Sequence, residues 1–367
     1  MRRLGTTVAR LTAMRRAGLA TLAQGDGRLS PLTAFGANPG ALDAWIYLPD
    51  NLPSAAPLVV VLHGCTQNAA VYDEGSGWSA LADRHGFALL FPEQRRANNH
   101  NLCFNWYAAA DARRGKGEAK SIAQMIGHLT ATHDLDPART FVTGLSAGGA
   151  MTAVMLAAYP DLFAGGAIIA GLPFASANTL PDALERMRGT GGPSRRELAK
   201  LARAAAPDGG RVPALSVWHG TRDHIVAPAN AVAIVDQWRD LHGVGDGPGS
   251  VDRVDGHRRE TWRDGQGRAV IERYDIDGMG HGTPLDTRGS ESCGTAGPHM
   301  LEANICSTRR IAEGWGLAGE VITKSEPRIA VTGGPITRTS PTPLIPSRAT
   351  GVGAVIEDAL RVAGLMR

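Results

Sequence analysis

Several things are scarce in this 367-residue sequence, and each scarcity removes a class of function. No apolar run approaches the roughly 18 residues that a membrane-spanning helix requires. The four cysteines, Cys65, Cys103, Cys293 and Cys306, include no C-x-x-C pair, so they do not read as a zinc site or a dithiol redox motif. The net charge of +3 is too small for the basic face of a nucleic-acid-binding protein. No internal repeat is present. Met1-Arg2-Arg3-Leu4-Gly5 begins like a secretion signal, but Arg10, Arg15 and Arg16 interrupt the place of its apolar segment. A basic amphipathic helix over Thr6 to Ala23 is expected there instead.

What is plentiful is glycine, with 46 residues beside 22 prolines, and this implies many turns. Apolar residues make up 43%, enough for a sizeable core. Short apolar runs recur, several of them rich in β-branched residues: Ala44 to Leu48, Leu58 to Leu62, Phe87 to Phe91, Thr140 to Thr143, Ala167 to Ala170, Ala214 to Trp218 and Val270 to Tyr274. Helical patterns separate them at Trp78 to His85, Ser121 to His133, Ala150 to Tyr159 and Ala229 to Leu241. Strands alternating with helices of this length predict an α/β fold with a parallel sheet. Residues 173–211 break the alternation, and two readings stand: a small cap beside the site, or a crossover with a broken helix. The expected organisation is an N-terminal helix and linker over 1–40, a catalytic domain over 41–320, and a Pro/Thr/Ser-rich tail with an amphipathic helix over 321–367. That last helix is read as docking on its own domain or on a partner. Separately, a homodimer is among the expected assemblies. The pairs Cys65–Cys103 and Cys293–Cys306 admit two readings, disulfides in an oxidising compartment or buried thiols.

Gly144-Leu145-Ser146-Ala147-Gly148 matches G-x-S-x-G. The pattern alone is weak in so glycine-rich a chain. Its context is stronger, because a strand precedes it and a helix follows. Strand, tight turn and helix make a nucleophile elbow, which presents a serine hydroxyl at a helix N-terminus. A serine hydroxyl needs a base, and in this arrangement an acid and then a histidine follow in the chain. Asp223 lies on the loop after the strand ending at Trp218, at the carboxyl edge where α/β sites form. His281 lies in the flexible Gly278-Met279-Gly280-His281-Gly282. His224 is the main rival base, and Asp275 and Asp277 are rival acids. His63 reads as a loop-positioning residue and His219 as structural. The oxyanion donors expected are the backbone N–H groups of Ala147 and of Cys65, which follows Leu62-His63-Gly64. This chemistry calls for no metal and no organic cofactor.

Leu62-His63-Gly64-Cys65-Thr66-Gln67, Phe91-Pro92-Glu93-Gln94, Cys103-Phe104-Asn105-Trp106-Tyr107 and Gly144 to Met151 together resemble the polyhydroxybutyrate (PHB) depolymerase family of esterases, which includes feruloyl and acetylxylan esterase-like members. The likeness runs from about residue 42 to residue 285. It implies an α/β-hydrolase fold, a Ser146-Asp223-His281 triad, an oxyanion amide at Cys65 and a Cys65–Cys103 disulfide. It also implies Trp106 near the acyl pocket and Trp262 on its rim. The expected function is cleavage of an ester substrate, a hydroxyalkanoate oligomer or another short-chain or aryl ester, through an acyl-enzyme. The tail after 320 is too short and too poor in aromatics to serve as a polymer-adsorbing domain, which favours soluble substrates. The alternatives weighed are a feruloyl or acetylxylan esterase, a serine peptidase or acyltransferase, and a non-catalytic binding protein. The resemblance points to an extracellular or periplasmic location, and the interrupted signal points to the cytoplasm.

Overall fold

The computed structural model describes residues 27–50, 52–207, 211–289 and 292–319. The helices expected at Thr6 to Ala23 and at 352–366, and the extended tail before the latter, lie outside the described residues. Along the chain run β1 (Ser30–Pro31), β2 (Asp43–Tyr47), β3 (Ala56–Leu62), α1 (Ala69–Ser76), α2 (Trp78–His85), β4 (Ala88–Glu93), α3 (Gly117–Thr132) and β5 (Leu135–Leu145). After these come α4 (Ala147–Ala158), β6 (Gly165–Ile169), α5 (Leu180–Met187), α6 (Arg195–Ala205), β7 (Ala214–Gly220), α7 (Ala229–His242), β8 (Ser250–Val254), β9 (His257–Arg263) and β10 (Ala269–Ile276). The last elements are β11 (Thr283–Leu285), β12 (Met300–Glu302) and α8 (Ser307–Gly314).

Ten strands form one sheet in the order β1-β2-β4-β3-β5-β6-β7-β10-β9-β8. The six from β4 to β10 are parallel, as the β-branched runs predict. Every residue of β3 is buried. Leu58, Val60 and Leu62 point into one core, while Val59 and Val61 point into the other, following the two-residue period of a strand. Helices α3, α4 and α7 cover the first face, and α1, α2 and α8 cover the second. All twelve residues of α4 are buried, which explains its lack of any polar stripe. None of the described helices is long and apolar enough to cross a membrane.

This topology sets where a site can form. From β3 the chain passes to β4 on one side, and then returns to β5 on the other. The connections leaving the carboxyl ends of β3 and β5 therefore run to opposite faces, and a crevice opens between them. The 173–211 excursion is the crossover from β6 to β7, broken into α5 and α6. Its second helix packs along α7 and α4, and the Met187 carbonyl accepts from Ala227 N–H at 2.7 Å.

Two parts of the architecture depart from expectation. The sheet does not end at β10, because the β8–β9 hairpin extends it with antiparallel pairing. That hairpin is charge-rich and carries no apolar run. Arg259 pairs with Asp252 on β8 and with Glu272 on β10, and Arg258 pairs with Asp275, so cross-strand ion pairs replace apolar contacts on this edge. Its turn residues Asp255 and Gly256 both have positive φ, 49° and 88°, as a two-residue Asp-Gly hairpin requires. Beyond β10, β11 and β12 form a separate parallel pair.

Candidate active site

The elbow is built by close approach. Ser146 has φ 57° and ψ −116°, a backbone state that is costly for a residue bearing a side chain. It is held from both sides, since Ser146 N–H donates to the Ile169 carbonyl at 2.9 Å and the Ser146 carbonyl accepts from Ala150 N–H at 2.8 Å. A Cβ on Gly148 would collide with the Leu62 and His63 carbonyl oxygens, so only glycine lets the start of α4 lie against the end of β3. That contact puts the first turn of α4 beside the loop His63-Gly64-Cys65. Neither Cys65 N–H nor Ala147 N–H donates to any described residue. Two unpartnered donors thus flank the serine.

The loop that holds Cys65 is itself fixed. Cys65 is disulfide-bonded to Cys103, with 4.3 Å between their Cα atoms, and Thr66 N–H donates to the Asn101 carbonyl at 2.7 Å. The His63 Nδ1 lies 2.8 Å from the Gly64 carbonyl oxygen, which only accepts, so Nδ1 carries the proton. His63 Nε2 then accepts from Gln94 N–H at 3.1 Å. Burial pushes the His63 imidazole down to about 4, against the opposing effect of the Gly64 bond. The Gln94 side chain donates to the Cys103 carbonyl at 3.1 Å and to Glu118 at 2.6 Å, and Glu118 also accepts from Asn105. Burial pushes the Glu118 carboxyl up to about 7. The Phe104 ring lies 4.9 Å from His63. The motifs at 62–67, 91–94 and 103–107 are therefore one network around one loop. His63 is the positioning residue expected.

Asp223 and His281 are brought together, with Nδ1 of the histidine 2.7 Å from Oδ2 of the acid. Asp223 Oδ1 accepts from Ile225 N–H and Val226 N–H, both at 2.9 Å. Burial raises the Asp223 carboxyl, but hydrogen bonds from His219 and His281 overcome it and hold the group well below the usual carboxylate range. His219 Nε2 lies 2.8 Å from the Val226 carbonyl and 3.3 Å from Asp223 Oδ2, so this buried ring supports the acid from behind. The His281 loop is pinned at both ends. Arg222 N–H donates to the Met279 carbonyl at 2.9 Å on the β7 side, and Thr283 Oγ1 lies 3.2 Å from the Tyr72 hydroxyl on the β3 side. In the sheet order β5 and β6 lie between β3 and β7, and Ser146 directly follows β5. No hydrogen bond closes from Ser146 Oγ to His281, a contact that commonly tightens only with substrate bound.

The rivals separate cleanly. His224 is exposed, Asp277 faces Arg253 at 3.9 Å, and Asp275 belongs to the charge ladder with Arg258 and Arg273. Cys293 and Cys306 form a second disulfide, so the structure takes the disulfide side of the cysteine alternatives. Trp106 is buried beside the Cys103 loop, edge-on to Tyr107 at 5.6 Å. Trp262 does not lie where the resemblance implies. It pairs with Ile271, which lies beside Leu215 near the amino end of β7, whereas the site lies past Gly220 at the other end. The Trp262 ring packs under Arg239 at 5.6 Å and donates to the Gly247 carbonyl at 3.2 Å. A tryptophan in a strand carries no sign of which end it serves. Sequence reasoning missed His299, whose ring stands 5.7 Å from that of His281. It sits in a region without strand or helix periodicity, and only long-range packing reveals it.

Comparison with known proteins identifies the family. Residues 42–263 match the sequence model of the family described as Esterase PHB depolymerase. The chain is 44% identical over 293 residues to poly(3-hydroxyalkanoate) depolymerase C of Paucimonas lemoignei, covering 79% of this chain and 70% of that protein. It is 36% identical over 224 residues to a probable acetylxylan esterase A of Aspergillus flavus, covering 59% and 72%. Among solved structures, the acetyl xylan esterase of Aspergillus awamori superposes with a TM-score of 0.67 at 24% identity, covering 80% of this chain and all of that one, and it shares the α/β-hydrolase fold. The chain therefore belongs to the PHB depolymerase family of esterases.

Proposed function

We propose that Ser146, His281 and Asp223 act as nucleophile, base and orienting acid in the hydrolysis of hydroxyalkanoate oligomers or similar short-chain esters. His281 takes the Ser146 proton as the oxygen attacks the ester carbonyl. Asp223 holds the imidazole in the tautomer that leaves Nε2 free and stabilises its protonated form. The Cys65 and Ala147 N–H groups receive the oxyanion of the tetrahedral intermediate, aided by the α4 N-terminus. His281 returns the proton to the leaving alcohol, and water hydrolyses the acyl-enzyme by the same steps in reverse order. The observation that carries this reading is the strained serine flanked by two unpartnered N–H donors.

The substrate class rests on the depolymerase relative and on the buried Trp106 beside the disulfide-bound loop, which we place at the acyl pocket. Acetylxylan-type esters are the second reading, supported by the Aspergillus flavus relative. We assign the catalytic unit to about 41–320, with 1–40 and 321–367 as appendages. The test is a panel of hydroxybutyrate oligomers, acetylated xylan, methyl ferulate and p-nitrophenyl butyrate, run with the wild type and Ser146→Ala. Cleavage of the oligomers by the wild type and loss of all cleavage in the variant is expected. A variant that keeps full activity overturns the triad, and cleavage of acetylated xylan alone overturns the substrate class.

A further inference from the structure

The His281 loop is bracketed by a second histidine that belongs to a distant part of the chain. His299 Nδ1 lies 3.1 Å from the His281 carbonyl oxygen, and that oxygen only accepts, so Nδ1 is the donor. Two residues further along, Thr283 N–H donates back to the His299 carbonyl at 2.8 Å. Gly282 lies between these two bonds, and a Cβ there would come within 2.6 Å of the His299 oxygen. The His299 ring also stands nearly perpendicular to that of His281, at an interplanar angle of 80°. His299 thus touches His281 through its ring and its side-chain donor, and holds Thr283, two residues along the same loop, through its backbone acceptor.

This residue is held in a conformation it would not choose. His299 has φ 62°, in the left-handed region that a residue with a Cβ enters at some cost. Such strain persists only where surrounding contacts over-determine it. Those contacts are present: β12 begins at Met300 and pairs with β11, Cys293 is bonded to Cys306, and Ser307 Oγ donates to the Pro284 carbonyl at 2.9 Å. Burial lowers the His299 imidazole below its ordinary value, which keeps a second cation away from the imidazolium that His281 becomes.

We propose that His299 is the positioning residue that sets the height and rotation of His281 over Ser146, acting through its Nδ1–H bond to the His281 carbonyl. The inference rests on the assignment of His281 as the base. Three substitutions separate the bond from the backbone and from the packing. His299→Asn keeps a side-chain N–H donor and tolerates the left-handed backbone. His299→Gly accepts the backbone but has no donor. His299→Phe keeps the ring but has no donor. On p-nitrophenyl butyrate, the Asn variant is expected to stay within a few-fold of the wild-type kcat. The Gly and Phe variants should lose on the order of tenfold to a hundredfold in kcat with KM little changed, as expected for a small misplacement of a reacting group. Thermal unfolding of each variant checks that the fold is intact. Wild-type kcat in the Phe or Gly variant overturns the proposal, as does an equal loss in Asn and Gly. His281→Ala, run in parallel, keeps the two readings apart. If it is active, the triad assignment fails; if it is dead while the Gly and Phe variants keep wild-type kcat, only the His299 inference fails.

Discussion

The serine half of the site and the histidine half are held in place by different means. Ser146, Gly148 and the His63-Gly64-Cys65 loop are welded into the ends of β3 and β5, where glycine is the only residue that fits against the Leu62 and His63 carbonyls. The histidine half hangs on loops. Asp223 follows β7, His281 follows β10, and the bracket at His299 is about twenty residues further on, tied in by the Cys293–Cys306 bond. The first half is a local product of strand, turn and helix. The second is assembled by contacts far apart in sequence. Errors in the first half should therefore be nearly all-or-none, and errors in the second should be graded.

Ser146→Ala removes the oxygen proposed to attack the ester, and kcat/KM on p-nitrophenyl butyrate should fall by about five to six orders of magnitude. Asp223→Asn should leave the fold intact, because Oδ1 can still accept from Ile225 and Val226, yet kcat should fall by about four orders of magnitude as the tautomer of His281 is lost. Reduction under native conditions tests the disulfide of the histidine half. Opening Cys293–Cys306, isolated in a Cys65→Ala/Cys103→Ala background, should lower kcat on the order of tenfold by loosening the His299 bracket. An unchanged rate after reduction, with thiol counting to show that the bond has opened, would remove the disulfide from the account.

How much of this was legible in the sequence follows the same division. Leu58 to Leu62 and the run before Gly144 announce buried strands by β-branching, and the small residues around Ser146 announce the turn. Asp223 and His281 are legible from chain order and glycine context. The β8–β9 hairpin was missed because its strands are stabilised by Arg258, Arg259 and their carboxylates, and only the Asp255-Gly256 turn marks it. The rim position that the resemblance implies for Trp262 does not hold, because the register sets it against Ile271 near the amino end of β7, and register is a long-range property. His299 was missed because its signal is a backbone strain and two hydrogen bonds, neither of which has a sequence pattern.

A smaller effect tests the serine half by pH. His63 is buried, and its imidazole is pushed down to about 4, so it stays unprotonated in the folded state through a range where the unfolded chain binds a proton. The unfolded state thus holds more protons between about pH 6.5 and 4, and stability falls as the pH drops through that window. Protonation at Nε2 would also break the bond from Gln94 N–H. Glu118, whose carboxyl is raised to about 7, gives the opposite slope in part of this window and is common to wild type and variant. The His63 contribution is therefore read as the difference in thermal unfolding between the wild type and His63→Gln, which should shrink as the pH falls from 7 to 4. The smallest catalytic effect belongs to Trp262→Phe. The loss of its bond to Gly247 and part of its contact with Arg239 should cost about 1–2 kcal/mol of stability. Its kcat/KM should stay within about twofold, since the ring lies at the opposite end of the strands; a larger loss would return Trp262 to the substrate pocket.

The central claim is that Ser146, poised between two free amides and served by His281, is the nucleophile. Fluorophosphonate labelling of the full chain followed by peptide mapping tests it most directly. The account predicts a single adduct on the peptide carrying Gly144-Leu145-Ser146-Ala147-Gly148, absent in Ser146→Ala and formed far more slowly in His281→Ala. An adduct on another residue, or undiminished labelling of Ser146→Ala, would contradict it.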